Sequence, residues 1–353
     1  MELDRFTMLF TPWKRRPFGY LISEKNVNLI LSNDTIMKPP YDITPLILKL
    51  ISSISSKLGE VNATYLSKQS PQLRKQNRIQ TIHSSLQIEG NTLSQEQITA
   101  LIENKKVIGP KKDVLEVLNA IELYEQLNQF KFTSDTHFLK AHQILMKGLV
   151  DNPGKYRKKG VGIVKGNDVE HIAPPHDKVP FLMKDLFAYL KKEDELTLIK
   201  SCVFHYEMEF IHPFLDGNGR MGRFWQTLIL SNEFPVFEFL PFETLINESQ
   251  NDYYQALSMS DKMGKSTVFI EYMLGVINTS LERILNYNNR IIKDIDRIEY
   301  FVSLGKQVFT RKDYMNTFKE LSSATASRDL KKGVELNLFE VFGSQNQTKY
   351  KIV

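Results

Sequence analysis

Residues 216–220 read Asp-Gly-Asn-Gly-Arg, and no other stretch narrows the possible folds as far. Two glycines within three positions break helical propensity. Yet Phe224, Leu228 and Ile229 follow at once with the spacing of one helical face. The stretch therefore predicts a loop that opens a helix. Glycine and asparagine reach the backbone angles that turn successive N–H groups into one concavity, and the helix adds the positive end of its dipole. Such a place suits an anion. Arg220 and Arg223 fall in the first helical turn, where cations oppose the dipole by about 0.3–1 kcal/mol each. Two locally unfavourable arginines beside an anion nest point to a polyphosphate, each clamping a different phosphate.

Asp216 would be repelled by phosphate unless a cation lay between them, and Mg²⁺ bridging its carboxylate to phosphate oxygens supplies one. His212, just before the loop, is the group here that exchanges a proton near neutral pH, and a positioned general base contributes roughly 10²–10⁴ in rate. The parts add up to transfer from a nucleotide to a hydroxyl activated by His212. Taken singly, each has a plainer role: a helix-end histidine caps, Asp-Gly-Asn-Gly is a common turn, and paired arginines make surface ion pairs. Their fixed spacing favours the combined reading.

The remaining chain frames this motif. With 353 residues, 42% hydrophobic and 25% charged, the sequence suits two or three soluble globular domains. A net charge of +5 is too mild for a nucleic-acid footprint over the whole chain. Cys202, the single cysteine, lies in the apolar run "LIKSCVFHY" and reads as a small hydrophobe. No segment approaches about 18 uninterrupted apolar residues and none resembles a signal peptide, so a soluble, cytoplasmic protein without membrane contact is expected.

Residues 1–43 read as an irregular arm. Region 44–125 is helical, opening with Thr44 as N-cap and Pro45 at the first helical position. Ser94 and Gln97 form a capping-box pattern within it. Region 126–295 carries a predicted hairpin at 160–173 around Gly166-Asn167-Asp168, then helices, the last from about Thr267 to Ile295. Residues 297–353 read helix, helix, hairpin, with a turn at Gly343 to Asn346, which is a winged helix-turn-helix pattern.

"HPFLDGNGRMGR", His212 to Arg223, resembles the signature of Fic-domain proteins at every position. "GKYR" (Gly154 to Arg157), "HIAPP" at the hairpin's end, "VPFLMKDL" and Tyr253-Tyr254 are similar to further landmarks of that family, and the resemblance covers roughly residues 45–290. It implies a mainly α, Fic-type helical bundle with a β-hairpin flap. It also implies transfer of AMP from ATP, with Mg²⁺, to a Tyr, Thr or Ser hydroxyl of a protein, with self-modification included. His212 would be the base and Asp216 the metal ligand. Gly217, Asn218 and Gly219, with the Asn218 side chain, would cradle the α- and β-phosphates. Arg220 and Arg223 would take the outer phosphates, with Met221 and Gly222 between them in the ATP-binding motif. Val169, Glu170, His171 and Ile172 on the flap would lie nearest the nucleotide and align the target by strand addition. Tyr253 and Tyr254 would line the adenosine pocket, whereas Asp261 stands where relatives often carry Asn.

"SSLQIEGN" resembles the family's inhibitory helix, here expected at about 78–90, with Ser85, Glu89 and Gly90 in its pattern. A glutamate in the last turn before a glycine stop opposes the helix dipole and needs a cation. The resemblance supplies Arg223, and it implies an autoinhibited enzyme in which Glu89 would also serve a reverse, deadenylylating reaction. His171 and His176 lack companions for a zinc site, and His205 reads as a packing residue. The tail, through "SSATASRDL", resembles the winged helix that often follows such a core. Its Arg328, Lys331 and Lys332 fit packing or homodimer contacts better than DNA. Two other readings stay open: a Fic transferase of UMP, phosphocholine or phosphate, and a transcription regulator whose core only senses nucleotide.

Overall fold

Apolar residues three and four apart recur through most of the chain, and the structure is accordingly mainly helical, with two small antiparallel sheets. It is a computed structural model that describes residues 38–64, 71–165, 168–289, 294–303, 307–318, 321–343 and 348–352, with the backbone course alone for 162–172. Most of the arm expected at 1–43 lies outside the described residues. The chain divides into two compact units, Met1–Arg283 and Ile284–Val353. None of the described helices is long and apolar enough to cross a membrane.

In the first unit α1 (Pro45–Thr64) begins where Thr44 Oγ1 accepts from the Ile47 N–H at 3.2 Å. Helix α2 (Pro71–Ile88) stops one residue short of Glu89, which sits in the closing turn with Gly90 at φ 88°. Ser94 then caps α3 (Gln95–Ile102) with the reciprocal bond from Gln97. Next come α4 (Lys111–Glu125) and α5 (Asp135–Leu145). The strands β1 (Gly162–Lys165) and β2 (Asp168–Ile172) pair antiparallel with an irregularity between Ile163 and Val164, and the tip residues Gly166 and Asn167 lie outside the described set. Helices α6 (Val179–Leu190), α7 (Thr197–Ile211) and α8 (Asn218–Glu233) complete the centre.

That centre is held by rings. Phe138 meets Phe187, Phe204 and Trp225 edge-on, with centroids 5.5, 6.0 and 5.0 Å away, and the Trp225 indole N–H donates to Phe132 O at 3.0 Å. Edge-to-face packing of this kind contributes roughly 0.5–1.5 kcal/mol per pair beyond area burial. It fixes α7 against α8, the two helices whose facing ends carry the motif. Helices α9 (Phe242–Glu248), α10 (Gln250–Met263) and α11 (Thr267–Asn289) follow. The last helix was expected to run to Ile295. Its described part is Thr267–Asn289, residues 290–293 lie outside the described residues, and the boundary between the two units, after Arg283, falls within it.

The second unit contains α12 (Asp294–Ser303), β3 (Val308–Phe309), α13 (Arg311–Thr317), α14 (Ser323–Glu335), β4 (Phe339–Phe342) and β5 (Lys349–Ile352), with sheet order β3-β5-β4. Strand β3 has two residues and gives no readable alternation, so the sequence pattern missed it. Ile298, Phe301, Phe309, Tyr314, Ala326, Leu330 and Phe339 form the core. Gly333 lies flat against the Phe339 ring, where a β-carbon would overlap it. Arg297 binds Asp329 with both prongs, at 2.6 and 2.8 Å, and so joins α12 to α14.

Candidate active site

Helix α7 ends at Ile211, and His212 caps it in the left-handed region with φ 49° and ψ 60°. Non-glycine residues seldom sit there, because the β-carbon crowds the backbone. The chain then loops to α8, with Gly217 also left-handed at φ 84°, where a β-carbon would come 2.7 Å from Met146 Sδ. Asn218 knits the loop shut: its Oδ1 accepts from the Phe214 N–H at 2.9 Å and its Nδ2 donates to Phe214 O at 3.0 Å. The resemblance assigns the Asn218 side chain to a phosphate cradle, and here both its ends are engaged by Phe214. Asp216 Oδ1 accepts from the Gly217 N–H at 2.6 Å and from Arg220 Nη2 at 3.0 Å. Met221 is fully buried, and Gly222 lets α8 approach α7 where a β-carbon would meet His205 Cδ2 at 2.8 Å.

Glu89, distant in sequence, is brought onto the motif. Arg223 is fully buried, and its Nη2 donates to Glu89 Oε1 at 2.7 Å and to Ser85 O at 2.9 Å, while Nε donates to Ser85 Oγ at 3.0 Å. Burial alone would push the guanidinium pKa down, but the Glu89 carboxylate outweighs it and the balance is upward. Gly219 makes this approach possible, because a β-carbon there would overlap Glu89 Oε1. The carboxylate thus sits against the first turn of α8, the place where the sequence predicts an anion.

Arg220 also meets a second acid, with Nη1 3.1 Å from Glu116 Oε1 on α4. Asn91, two positions past Glu89, donates to the other oxygen of Glu116 at 2.9 Å. Behind Arg223 lies Glu243, pushed up to about 8 by burial, which accepts from Thr227 at 3.3 Å. Sequence reasoning identified neither glutamate. Nothing in a helical stretch such as "DVLEVLNAIELYEQL" sets one acid apart, since the signal is a contact made only in three dimensions.

The loop Gly154–Arg157 grips the motif from both sides. His142 stacks on Phe214 with centroids 3.6 Å apart, and its Nδ1 accepts from the Gly154 N–H at 2.8 Å. That bond leaves the proton on Nε2, which donates to Asp216 O at 3.0 Å. Burial lowers the His142 pKa to about 4, so this tautomer persists at neutral pH. Arg157 Nε donates to His212 O at 2.7 Å. Beside Asp216 a cavity of about 620 Å³ opens between residues 149–159 and Leu215.

The two residues assigned to adenosine differ in exposure. Tyr253 is buried with its hydroxyl 3.0 Å from His205 Nε2, whereas Tyr254 is 39% exposed and meets the Tyr253 ring edge-on at 5.3 Å. His205 is fully buried, held neutral with its pKa near 3 by desolvation, and its Nδ1 lies 2.6 Å from Gln226 Oε1. Asp261 accepts from the Tyr206 hydroxyl at 2.9 Å. Cys202 is buried and its thiol pushed up to about 12 by desolvation, which leaves it unreactive. The side chains of Val169, Glu170, His171 and Ile172 lie outside the described residues.

Among the described residues no group of three or more His, Cys, Asp or Glu could hold a metal alone. Mg²⁺ does not require one, because it binds through one or two carboxylates with phosphates and water completing the shell. Asp216 fits that role: its hydrogen bonds fall on Oδ1 and its side chain is 47% exposed.

Comparison with known proteins gives the family and the fold. A profile described as the Fic/DOC family matches residues 132–230. The protein adenylyltransferase Fic of Nematostella vectensis is 26% identical over 209 residues, 55% of this chain and 45% of its own. Protein adenylyltransferase fic-1 of Caenorhabditis elegans is 27% identical over 264 residues, 67% of this chain and 49% of its own. The chain therefore spans about half the length of the curated relatives it matches. The crystal structure of a Fic family protein from Desulfovibrio desulfuricans G20 superposes with a TM-score of 0.72 at 38% identity, covering 90% of this chain and 98% of that one.

Proposed function

The chain belongs to the Fic family, and from that premise we propose that it is a protein adenylyltransferase held inactive by Glu89. One observation carries the reading: a glycine loop opens α8, and the buried Arg223 beside it is paired with the carboxylate of Glu89 at 2.7 Å. His212 takes the proton of a Tyr, Thr or Ser hydroxyl on a target protein, that oxygen bonds to the α-phosphorus of ATP, and pyrophosphate departs. The α8 N-terminus and Arg220 hold phosphates, and Tyr254 with the edge of Tyr253 faces the adenosine. Asp216 would hold Mg²⁺, which neutralises phosphate charge when bound. The backbone of Val169 to Ile172 aligns the target segment as an added strand. With Glu89 on Arg223, the γ-phosphate has no cation to receive it. Displaced Glu89 orients water for the reverse reaction.

The division into a helical region at 44–125, a core at 126–295 and a winged helix at 297–353 belongs to the same proposal, as do homodimer formation, self-modification and a cytoplasmic site of action. In the tail Lys332 pairs with Asp294 at 2.8 Å and Lys331 with Glu335 at 3.9 Å, which supports packing or dimer contacts over DNA. The test is transfer of label from ATP: Glu89→Gly is expected to raise it and His212→Ala to abolish it in that background. Undiminished transfer by the histidine variant overturns the mechanism.

A further inference from the structure

We infer that Arg157 is a positioning residue for His212 and ties that base to the end of the β1–β2 hairpin. The last carbonyls of a helix have no partners within it. At α7 the His212 N–H takes Met208 O at 3.0 Å, and one residue meets the carbonyls that follow: the Arg157 side chain donates to Ile211 O at 3.3 Å and to His212 O at 2.7 Å, and its backbone N–H donates to Pro213 O at 2.9 Å. The same guanidinium donates to Pro174 O at 2.5 Å, two residues past β2, and to Lys159 O at 2.8 Å.

Arg157 is 3% exposed, and its bonded partners among the described residues are all carbonyls. Burying a cation among neutral groups is costly, and burial accordingly lowers its pKa. The negative end of α7 and the ring of carbonyl dipoles compensate. This expensive arrangement surrounds the one position of α7 that is strained, since His212 holds φ 49° with a β-carbon. Such a conformation persists only where its surroundings over-determine it. The guanidinium also fixes the spacing between His212 and Pro174, and hence between the base and the strand that receives the target.

The inference rests on His212 as the base, so the experiment separates the two. In the Glu89→Gly background, Arg157→Lys keeps the charge but cannot reach carbonyls on both sides. Its kcat for AMP transfer is expected to fall about 100-fold, the scale of a small misplacement of a reacting group. ATP affinity by calorimetry and the thermal melt are expected to hold. Added guanidinium is expected to restore part of the activity of Arg157→Ala. A folded Arg157→Lys with parental kcat, or one that loses ATP affinity in step with kcat, overturns the inference. Should the Glu89→Gly parent transfer no AMP, the adenylyltransferase reading fails, and imidazole NMR decides the positioning role. The His212 resonance, assigned with His212→Gln, then shifts or broadens in Arg157→Lys, and an unmoved resonance overturns the inference. If Arg157→Ala fails to fold, Arg157→Lys alone carries the test.

Discussion

Two arginine–carboxylate pairs, one in each compact unit, are built in opposite ways, with the acid buried in one and the cation buried in the other. In Ile284–Val353, Arg297 grips Asp329 with two nitrogens, the acid is 2% exposed, and Tyr314 adds a third bond at 3.2 Å. In Met1–Arg283, Arg223 reaches Glu89 with one nitrogen, and the acid is 30% exposed. In the first pair the acid is closed in and the cation only partly exposed, at 13%. In the second, the cation is buried while its partner stands at the edge of solvent, the arrangement that the proposed displacement of Glu89 by a phosphate requires. Desolvation strengthens a pair only while both charges stay in place. On the proposed function, the difference separates a rivet from an exchangeable seat.

That contrast can be broken in several places. The largest effect is expected from His212→Ala in the Glu89→Gly background, a loss of transfer of roughly 10²–10⁴-fold measured with labelled ATP. Next, Glu89→Gly alone is expected to raise transfer by about 10- to 100-fold, the equivalent of one charge-assisted hydrogen bond, whereas removing the acid of the rivet should raise no activity. Asp329→Ala is expected to cost about 3 kcal/mol in the second unit, read as a shifted urea midpoint, because it removes the acid that takes both prongs of the largely covered Arg297 and the Tyr314 hydroxyl. If Asp329→Ala were silent and Glu89→Gly destabilising, the comparison would be inverted.

A smaller effect is set by pH. His142 and His205 titrate near 4 and 3 in the folded chain, both lowered by burial from about 6.5. A depressed histidine leaves the folded state unprotonated while the unfolded chain takes up protons. Stability is therefore full above about 6.5 and falls as the pH drops toward 4. Urea midpoints at pH 7 and 5 should differ, and His142→Gln should flatten the slope on the order of 1 kcal/mol. The smallest is Tyr314→Phe, about 1 kcal/mol, since Asp329 keeps its two stronger bonds.

The motif itself was legible because its residues are adjacent. Asp216 to Arg220 announce a loop before a helix, and the loop and helix form at those positions. Ser94 and Thr44 likewise name their own helix starts through local bonds. Glu89 was readable only through the pattern with Ser85, and its contact with Arg223 required the fold to close a long separation. Glu116, Glu243 and His142 carry no local mark, for each acts through partners brought from elsewhere in the chain, and Arg157 was marked only as the end of "GKYR", without its contacts to His212 and Pro174. Strand β3 escaped for another reason: two residues cannot display a period.

The left-handed cap at His212 sets stability against chemistry. Helix ends of this shape favour glycine or asparagine, which relieve the crowding at positive φ. A selection that ranked variants of this chain by melting temperature alone would therefore promote His212→Gly, and would enrich the one change that removes the proposed base. Whatever keeps a histidine at that post must act on what the protein does, against the preference of its own backbone.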